Sequence, residues 1–440
     1  MRQMKDSGVE WIENIPSDWT IVPLKWIVKF GKGLPITKDN LVEQGVPVVS
    51  YGQIHSKTNS GTHLGKDLMR FVNEKYFQSN PSSLGKKGDI FFADTSEDYA
   101  GVGNAVLVDE DEPVFAGYHT VIVRPIDLLY SKYLAYLFLT DAWRSQLCSR
   151  VSGIKVFSVT QGLLKETTII LPPTEKIATM TDYLDRKCAE IDAIIAKQQQ
   201  IIEKLKEYKL SVITEAVTKG LDPNVPMKDS GVEWIEEIPE KWQKAKLKNT
   251  CQFINGDRSS NYPSPNDYVD KGIPFLGADS LCGRYVDIAQ SKKITNEKYR
   301  SMGGAKIQKG DILYTLRGST IGKNAMAMFD DGTVASSLMV IRPISLVPEF
   351  LLYWLNSEEE FQQRQSYING STAPNLSADN VGTFILFLPS TVEQLRIANF
   401  LDKKCNEIEL AIQKKQRMIE KLSDYKKSLI YEVVTGKKEV

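Results

Sequence analysis

The chain has 440 residues, of which 42% are hydrophobic, with 55 Lys plus Arg against 55 Asp plus Glu. That length exceeds what one hydrophobic core supports, so two or more domains are predicted, and the composition excludes a disordered or fibrous chain. Balanced charge excludes a uniformly basic polyanion binder, so any basic surface must be local. The scattered Cys148, Cys188, Cys251, Cys282 and Cys405 and only three histidines offer neither a disulfide framework nor zinc-ligand spacing, which fits a reducing cytoplasm. Met1 to Asp18 carries no apolar signal core, and no run approaches the ~20 apolar residues that span a bilayer.

The first element is a leader, residues 1–20. Its stretch from Met4 to Trp19, MKDSGVEWIENIPSDW, recurs as MKDSGVEWIEEIPEKW from Met227 to Trp242. A copy this close marks an internal duplication. Residues 21–172 follow as a mixed domain with β-rich runs at Asp89–Ala93, Ala105–Val108, Thr120–Val123 and Thr167–Leu171, and with a helix predicted from Ser131 to about Cys148. Residues 173–220 carry apolar positions at alternating steps of four and three: Leu184, Cys188, Ile191, Ile195, Ile202 and Leu205. That is a heptad seam, interrupted by Gln198 and Lys209, polar positions of the kind that set register.

The second half repeats the plan: a leader at 221–243, a mixed domain at 244–389 and a helix at 390–437. Its β-rich runs fall at Asp311–Leu316, Ala325–Phe329, Leu338–Ile341 and Thr383–Leu388, a helix runs from Pro348 to about Tyr367, and the seam recurs as Leu401, Cys405, Ile408, Ile412, Ile419 and Leu422, with Lys415 and Lys426 at its polar positions. Shared landmarks tie the variable domains together: KGDI at Lys87 and Lys309, VRP at Val123 and IRP at Ile341. Two equivalent seams in one chain most simply pair with each other, antiparallel if the halves are related by a pseudo-twofold. The fold class is therefore α+β: two mixed α/β domains separated by two long helices that form an antiparallel coiled coil. From Asp185 to Thr218 such a helix makes a rod of roughly 50 Å. Trp11 and Trp234 are the expected buried anchors of the leaders.

The leader SGVEWIEEIPEKW, the KGDI and IRP landmarks, the GSTAPNLS stretch at Gly370 and the LPSTVEQLRIANFLD entry to a heptad helix together resemble type I restriction-modification specificity subunits. The resemblance implies two target recognition domains, each reading one half of a split double-stranded DNA site. It implies a coiled coil that fixes the gap and docks two methyltransferase (M) subunits, to which restriction (R) subunits add. S-adenosylmethionine, ATP and Mg would then be bound by those partners, with no cofactor or metal on this chain. No DPPY, NPPF, HExxH or G-x-S-x-G motif suggests catalysis here. Gly318–Lys323, GSTIGK, is a residue too short for a phosphate-binding loop.

Base and phosphate contacts need Arg, Lys, Asn, Gln, Ser or Thr on loops, ideally near aromatic rings. In the first domain the candidates are Lys32, Tyr51, Gln53, His55, Lys57 and Arg70, with Lys155 and Ser158 as weaker ones. In the second they are Arg258, Ser259, Asn261, Tyr262, Arg284, Lys292, Lys293, Arg317, Ser319, Lys323, Ser371, Thr372 and Asn375. Arg317 stands out because it ends a predicted strand and opens a Gly-Ser-Thr turn. The first half reads GIKVFSVTQGLL where the second reads GSTAPNLSADNV, so the two domains are expected to read unlike half-sites. Two other readings stay open: a DNA reader of a related defence system without a restriction motor, and a coiled-coil adaptor with two protein-binding domains.

Overall fold

A computed structural model of the chain describes residues 3–9, 11–151, 153, 156–232, 234–289, 291–368 and 375–440. Contacts divide it into two units, residues 1–198 with 417–440 and residues 199–416.

In the first unit the leader is a β-hairpin, Met4–Asp6 against Asn14–Pro16. A four-stranded antiparallel sheet follows, in the order 105–107, 90–93, 120–125, 28–32. Alternation along its strands buries both faces: Ile90, Phe92, Val121 and Val123 enter one core, and Phe91 and Ile122 another. A five-stranded mixed sheet stands beside it, with Val46–Val49 parallel to Val114–Ala116. The second unit repeats the design with hairpin Met227–Val232 against Ile235–Pro239, a four-stranded sheet ordered 251–255, 338–343, 312–315, 324–326, and a three-stranded sheet.

Both domain helices are broken where one continuous helix was predicted. Leu129–Phe138 stops and Asp141–Cys148 starts afresh, because the Thr140 hydroxyl accepts from the Trp143 amide as an N-cap. In the second unit Pro348–Trp354 gives way to Glu358–Ile368. Apolar period alone does not register such a break, since the buried stripe runs through it.

The landmark motifs meet in space. Asp89 of KGDI, 1% exposed, accepts both Nε and Nη2 of Arg124 from VRP at 2.7 and 2.6 Å. Asp311 takes Arg342 of IRP in the same fork, at 2.8 and 2.7 Å. Each carboxylate also accepts a backbone N–H, from Lys86 and Gln308 respectively, closing the turn before the strand. The fork lifts Arg124 and Arg342 above the usual guanidinium range, Asp89 and Asp311 outweighing the cost of burial.

The predicted seam is a seam. The long helices run Thr174–Lys219 and Thr391–Val434, and in each unit the early part of one meets the late part of the other, which is antiparallel pairing. Leu184, Cys188 and Ile191 share a core with Leu429, Ile430 and Val433 in the first unit, with Ile195 and Leu422 packed against it. Leu401 and Cys405 share one with Ile213 and Val217 in the second. Ile202, Ile408 and Ile412 are buried, and Leu205 and Ile419 half-buried. Two polar seam positions form cross-helix ion pairs, Lys426 with Asp192 at 2.7 Å and Lys209 with Glu409 at 2.5 Å.

The leaders are anchored by different tryptophans from those predicted. Trp19 and Trp242 are 1% and 2% exposed, whereas Trp11 is half-buried and Trp234 is 48% exposed. The reason lies at the helix ends. The second long helix terminates at Gly436, whose φ of +72° suits a glycine, and a Cβ there would stand 2.5 Å from Pro16 and 3.0 Å from Trp19. Gly220 ends the first long helix in the same way, beside Trp242.

Candidate nucleic-acid interface

In both units the central strand of the four-stranded sheet runs on past its last sheet partner into a confluence of loops. Asp94 donates its N–H to the His119 carbonyl at 3.0 Å and accepts from Val159 N at 2.7 Å. Leu316 does the same with Ser337 at 2.8 Å and Leu376 at 2.9 Å. The next residue is then pinned against a second strand: Thr95 pairs with Ser158, and Arg317 bridges to Asn375. A neighbouring strand end joins by Gly33 N to Thr120 O and Gly256 N to Leu338 O, both 3.1 Å. Only glycine permits that approach, because a Cβ would fall 1.9 Å from the Gly117 carbonyl oxygen or 2.2 Å from that of Ala335.

The frame is shared and the side chains on it are not. In the first unit the Thr95 hydroxyl donates to Asp94 at 2.7 Å, and His119 Nδ1 lies 3.1 Å from the same carboxylate oxygen. His119 is exposed and holds a left-handed φ of +55°. His55 Nε2 donates to the Thr95 carbonyl at 2.8 Å, which leaves Nδ1 to accept from Asn104 at 3.0 Å. Tyr51 sits edge-on among His55, Tyr118 and His119, with centroids 6.2, 5.6 and 5.4 Å away. This patch is aromatic and imidazole-rich, with hydroxyl and carboxylate oxygens that accept hydrogen bonds. Its members Asp94, Thr95, Tyr118 and His119 were missed in the sequence, because no loop composition singles them out.

In the second unit the same place carries a cation. Arg317 is exposed, and its Nε donates to Asn375 Oδ1 at 2.9 Å. Its terminal nitrogens make no hydrogen bond among the described residues, so the guanidinium edge points free, as bidentate recognition of a base or phosphate requires. The GSTIGK turn carries the chain straight back into strand Asn324–Met326, without the helix that a phosphate-binding loop needs.

The other candidates are scattered. Lys32, Lys57, Arg70, Arg258, Ser259, Asn261, Lys292 and Ser319 are exposed. Asn261 donates to the Ser301 carbonyl at 3.1 Å, Tyr262 packs edge-on against Phe275, and Lys292 lies 4.8 Å over the Tyr268 ring, with Lys293 half-buried beside it. Gln53 caps the Ser50 amide at 3.2 Å, and Lys323 donates to the Ala278 carbonyl at 3.0 Å. Arg284 turns away from solvent to the second long helix, bonding Asp402 and Tyr353. Burial opposes its charge, but the hydrogen bond to Asp402 raises it above the usual guanidinium range, and the guanidinium lies 4.9 Å over the Tyr353 ring. Lys155, Ser371 and Thr372 lie outside the described residues. Among the described residues no group of His, Cys, Asp or Glu is arranged to hold a metal ion, and no helix is long and apolar enough to cross a membrane.

Residues 16–215 and 239–421 match the family described as the type I restriction modification DNA specificity domain. The chain is 28% identical over 239 residues to the EcoBI type I restriction enzyme specificity subunit of Escherichia coli, a match covering 52% of this chain and only about half, 49%, of that relative. It is 22% identical over 437 residues to the MjaVIII specificity subunit of Methanocaldococcus jannaschii, covering 96% and 93% of the two chains. Among solved structures, a chain from work on complex assembly and conformational transition of the type I R-M system superposes with a TM-score of 0.71 at 18% identity, over 96% of this chain and 98% of that one. The HsdS subunit of Thermoanaerobacter tengcongensis gives 0.51 at 18% identity, over the same 96% and 98%. At such identities the likeness speaks to the fold.

Proposed function

Because this chain belongs to the type I restriction-modification DNA specificity family, we propose that it is the non-catalytic, sequence-reading subunit of a cytoplasmic type I complex. Its two units read two unlike halves of a bipartite, asymmetric site in double-stranded DNA. Its helix pair sets the gap and docks methyltransferase subunits, with restriction subunits joining them. The methyl donor, ATP and Mg belong to those partners, and this chain's residues position DNA and protein.

One observation carries the reading. The same backbone frame presents Thr95, Asp94 and His119 in one unit and Arg317 with Asn375 in the other. A guanidinium edge donates only, and matches the paired acceptors O6 and N7 of guanine. The first patch contains a carboxylate and a hydroxyl, which accept, and imidazole and phenol rings that donate or stack. Two copies of one reader would demand a palindrome; two chemistries on one frame support an asymmetric target.

Methylome sequencing of a host with and without this gene tests the reading. The expected result is a set of modified adenines in a split motif with unlike halves that disappears with the gene. A continuous or palindromic motif, or an unchanged methylome, would overturn it.

A further inference from the structure

The second unit contains a cavity of about 690 Å³ lined by the end of the first long helix, the second leader hairpin and the start of helix Glu358–Ile368. Six glutamates face it: Glu207 and Glu215 from the long helix, Glu236 and Glu237 from the hairpin, and Glu358 and Glu359 from the domain helix. Glu359 is only 7% exposed, and its Oε2 has no hydrogen-bond partner. A buried carboxylate oxygen left unpartnered beside five further carboxylates is costly, and a cation that pairs with it recovers that cost while keeping it ionised. Trp234, 48% exposed, lines the same cavity. Lys219, which also lines the cavity, makes no ion pair among the described residues.

The duplication supplies an internal control. In the first unit the corresponding residues of the repeat are Trp11, Glu13 and Tyr431, where the second has Trp234, Glu236 and Thr214. There this chain provides its own cation: Lys437 lies 3.9 Å from Glu13, donates to the Tyr431 hydroxyl at 2.8 Å and sits 4.8 Å over that ring. Counted from the helix-ending glycines Gly436 and Gly220, the second unit has Leu221 at the position of Lys437, and in the aligned helix it has the smaller Thr214 at the position of Tyr431. The tyrosine ring and the ammonium placed against Glu13 in one unit have no counterpart at the equivalent positions of the other, where an acidic cavity opens with Lys219 as the one cation in its lining among the described residues.

We propose that this cavity receives an arginine or lysine side chain of a protein partner, which takes the place that Lys437 fills in the first unit. Resting on the functional reading above, that partner is the methyltransferase subunit. A bare metal ion fits less well, since the carboxylates do not converge in a ligand set among the described residues.

The test compares the full-length chain with its Glu358→Gln/Glu359→Gln variant, measuring the melting temperature of each alone and the affinity of each for the methyltransferase subunit across a salt series. The variant is expected to melt no lower than the parent, because it removes unpaired buried charge, while binding its partner about 10- to 100-fold more weakly with a shallower salt dependence. Equal affinity and an equal salt slope for the two chains would reject the inference while leaving the functional reading standing. A parent chain that binds no methyltransferase subunit would reject both. Thr214→Tyr is a second variant: it restores the ring found at Tyr431 and removes the hydroxyl that accepts the Glu358 N–H at 3.0 Å, so its melting temperature is read beside its affinity, and weaker partner binding at an unchanged melting temperature is expected.

Discussion

Arg317 and Thr95 follow the same central strand in their respective units, yet one offers donors alone and the other sits among acceptors. Arg317→Ala is expected to cost ~1–3 kcal/mol in binding the cognate site and to relax selectivity at one base position, if the free guanidinium edge reads guanine. Methylation of a panel of single-base site variants measures this, and an unchanged profile would sink the assignment. Asn375→Ala, which frees Nε from its 2.9 Å partner, should show the same pattern in weaker form. Glu359 offers a different residue-scale test. Burial, reinforced by Glu358 and partly relieved by Trp234, pushes its carboxyl up to about 7. A folded state that holds its proton more tightly than the unfolded chain loses stability as pH rises, here between the ordinary carboxylate range and about 7. The other titratable groups facing it are Glu207, Glu215, Glu236, Glu237 and Lys219. Denaturation midpoints of Glu359→Gln should fall less steeply over that window than those of the parent, and parallel curves would refute the burial argument.

At the scale of elements, the two motif pairs act as locks between strands. Asp311 is nearly fully buried while Arg342 is about a quarter exposed, so the arginine both neutralises the carboxylate and roofs it. Arg342→Ala leaves a buried carboxylate with its backbone bond alone, and a loss of ~3–5 kcal/mol in unfolding free energy is expected. Urea titration reads this directly; a loss below ~1 kcal/mol would mean that water replaces the guanidinium. The cross-helix pairs Lys426–Asp192 and Lys209–Glu409 have half-exposed carboxylates, and exposed pairs of this kind contribute ~0–1 kcal/mol. Their use is register: each lysine interrupts an apolar seam at a fixed position and finds one acid on the opposite helix. Tyr136 and Tyr353 tie the domain helices to the seam through Asp185 at 2.6 Å and Asp402 at 2.7 Å. Burial and those hydrogen bonds raise both phenols well above their ordinary range, keeping them neutral donors.

For the whole molecule, the duplication separates what is shared from what is free to vary. Leaders, seam residues, the glycine helix ends and the Asp–Arg forks recur in both units, whereas the residues on the shared loop frame differ. Replacing 244–389 with the corresponding segment of another family member is therefore expected to change one half of the modified motif and leave the other intact. Methylome sequencing of the chimaera decides this, and a motif altered in both halves would show that the units do not read independently.

The amino-acid sequence by itself determined the duplication, the heptad seam, the strands at the eight β-rich runs and the family, because identity at a fixed spacing and apolar period are properties of the linear chain, whereas strands such as Val28–Lys32 and Cys251–Asn255 were not read from it. Lys209 and Lys426 were legible as polar interruptions of a seam, and Arg317 as the residue that ends a strand. Only the tertiary structure decided which side chains are spoken for. Arg284 has the composition of a DNA contact and is claimed by Asp402; Trp11 and Trp234 have the look of anchors, while Trp19 and Trp242 are the ones the helix ends cover. The KGDI–IRP forks, the Asp94–His119 patch and the glutamate cavity each join segments tens to hundreds of residues apart. Burial and hydrogen-bond partnership arise from such convergence, and no local pattern encodes it.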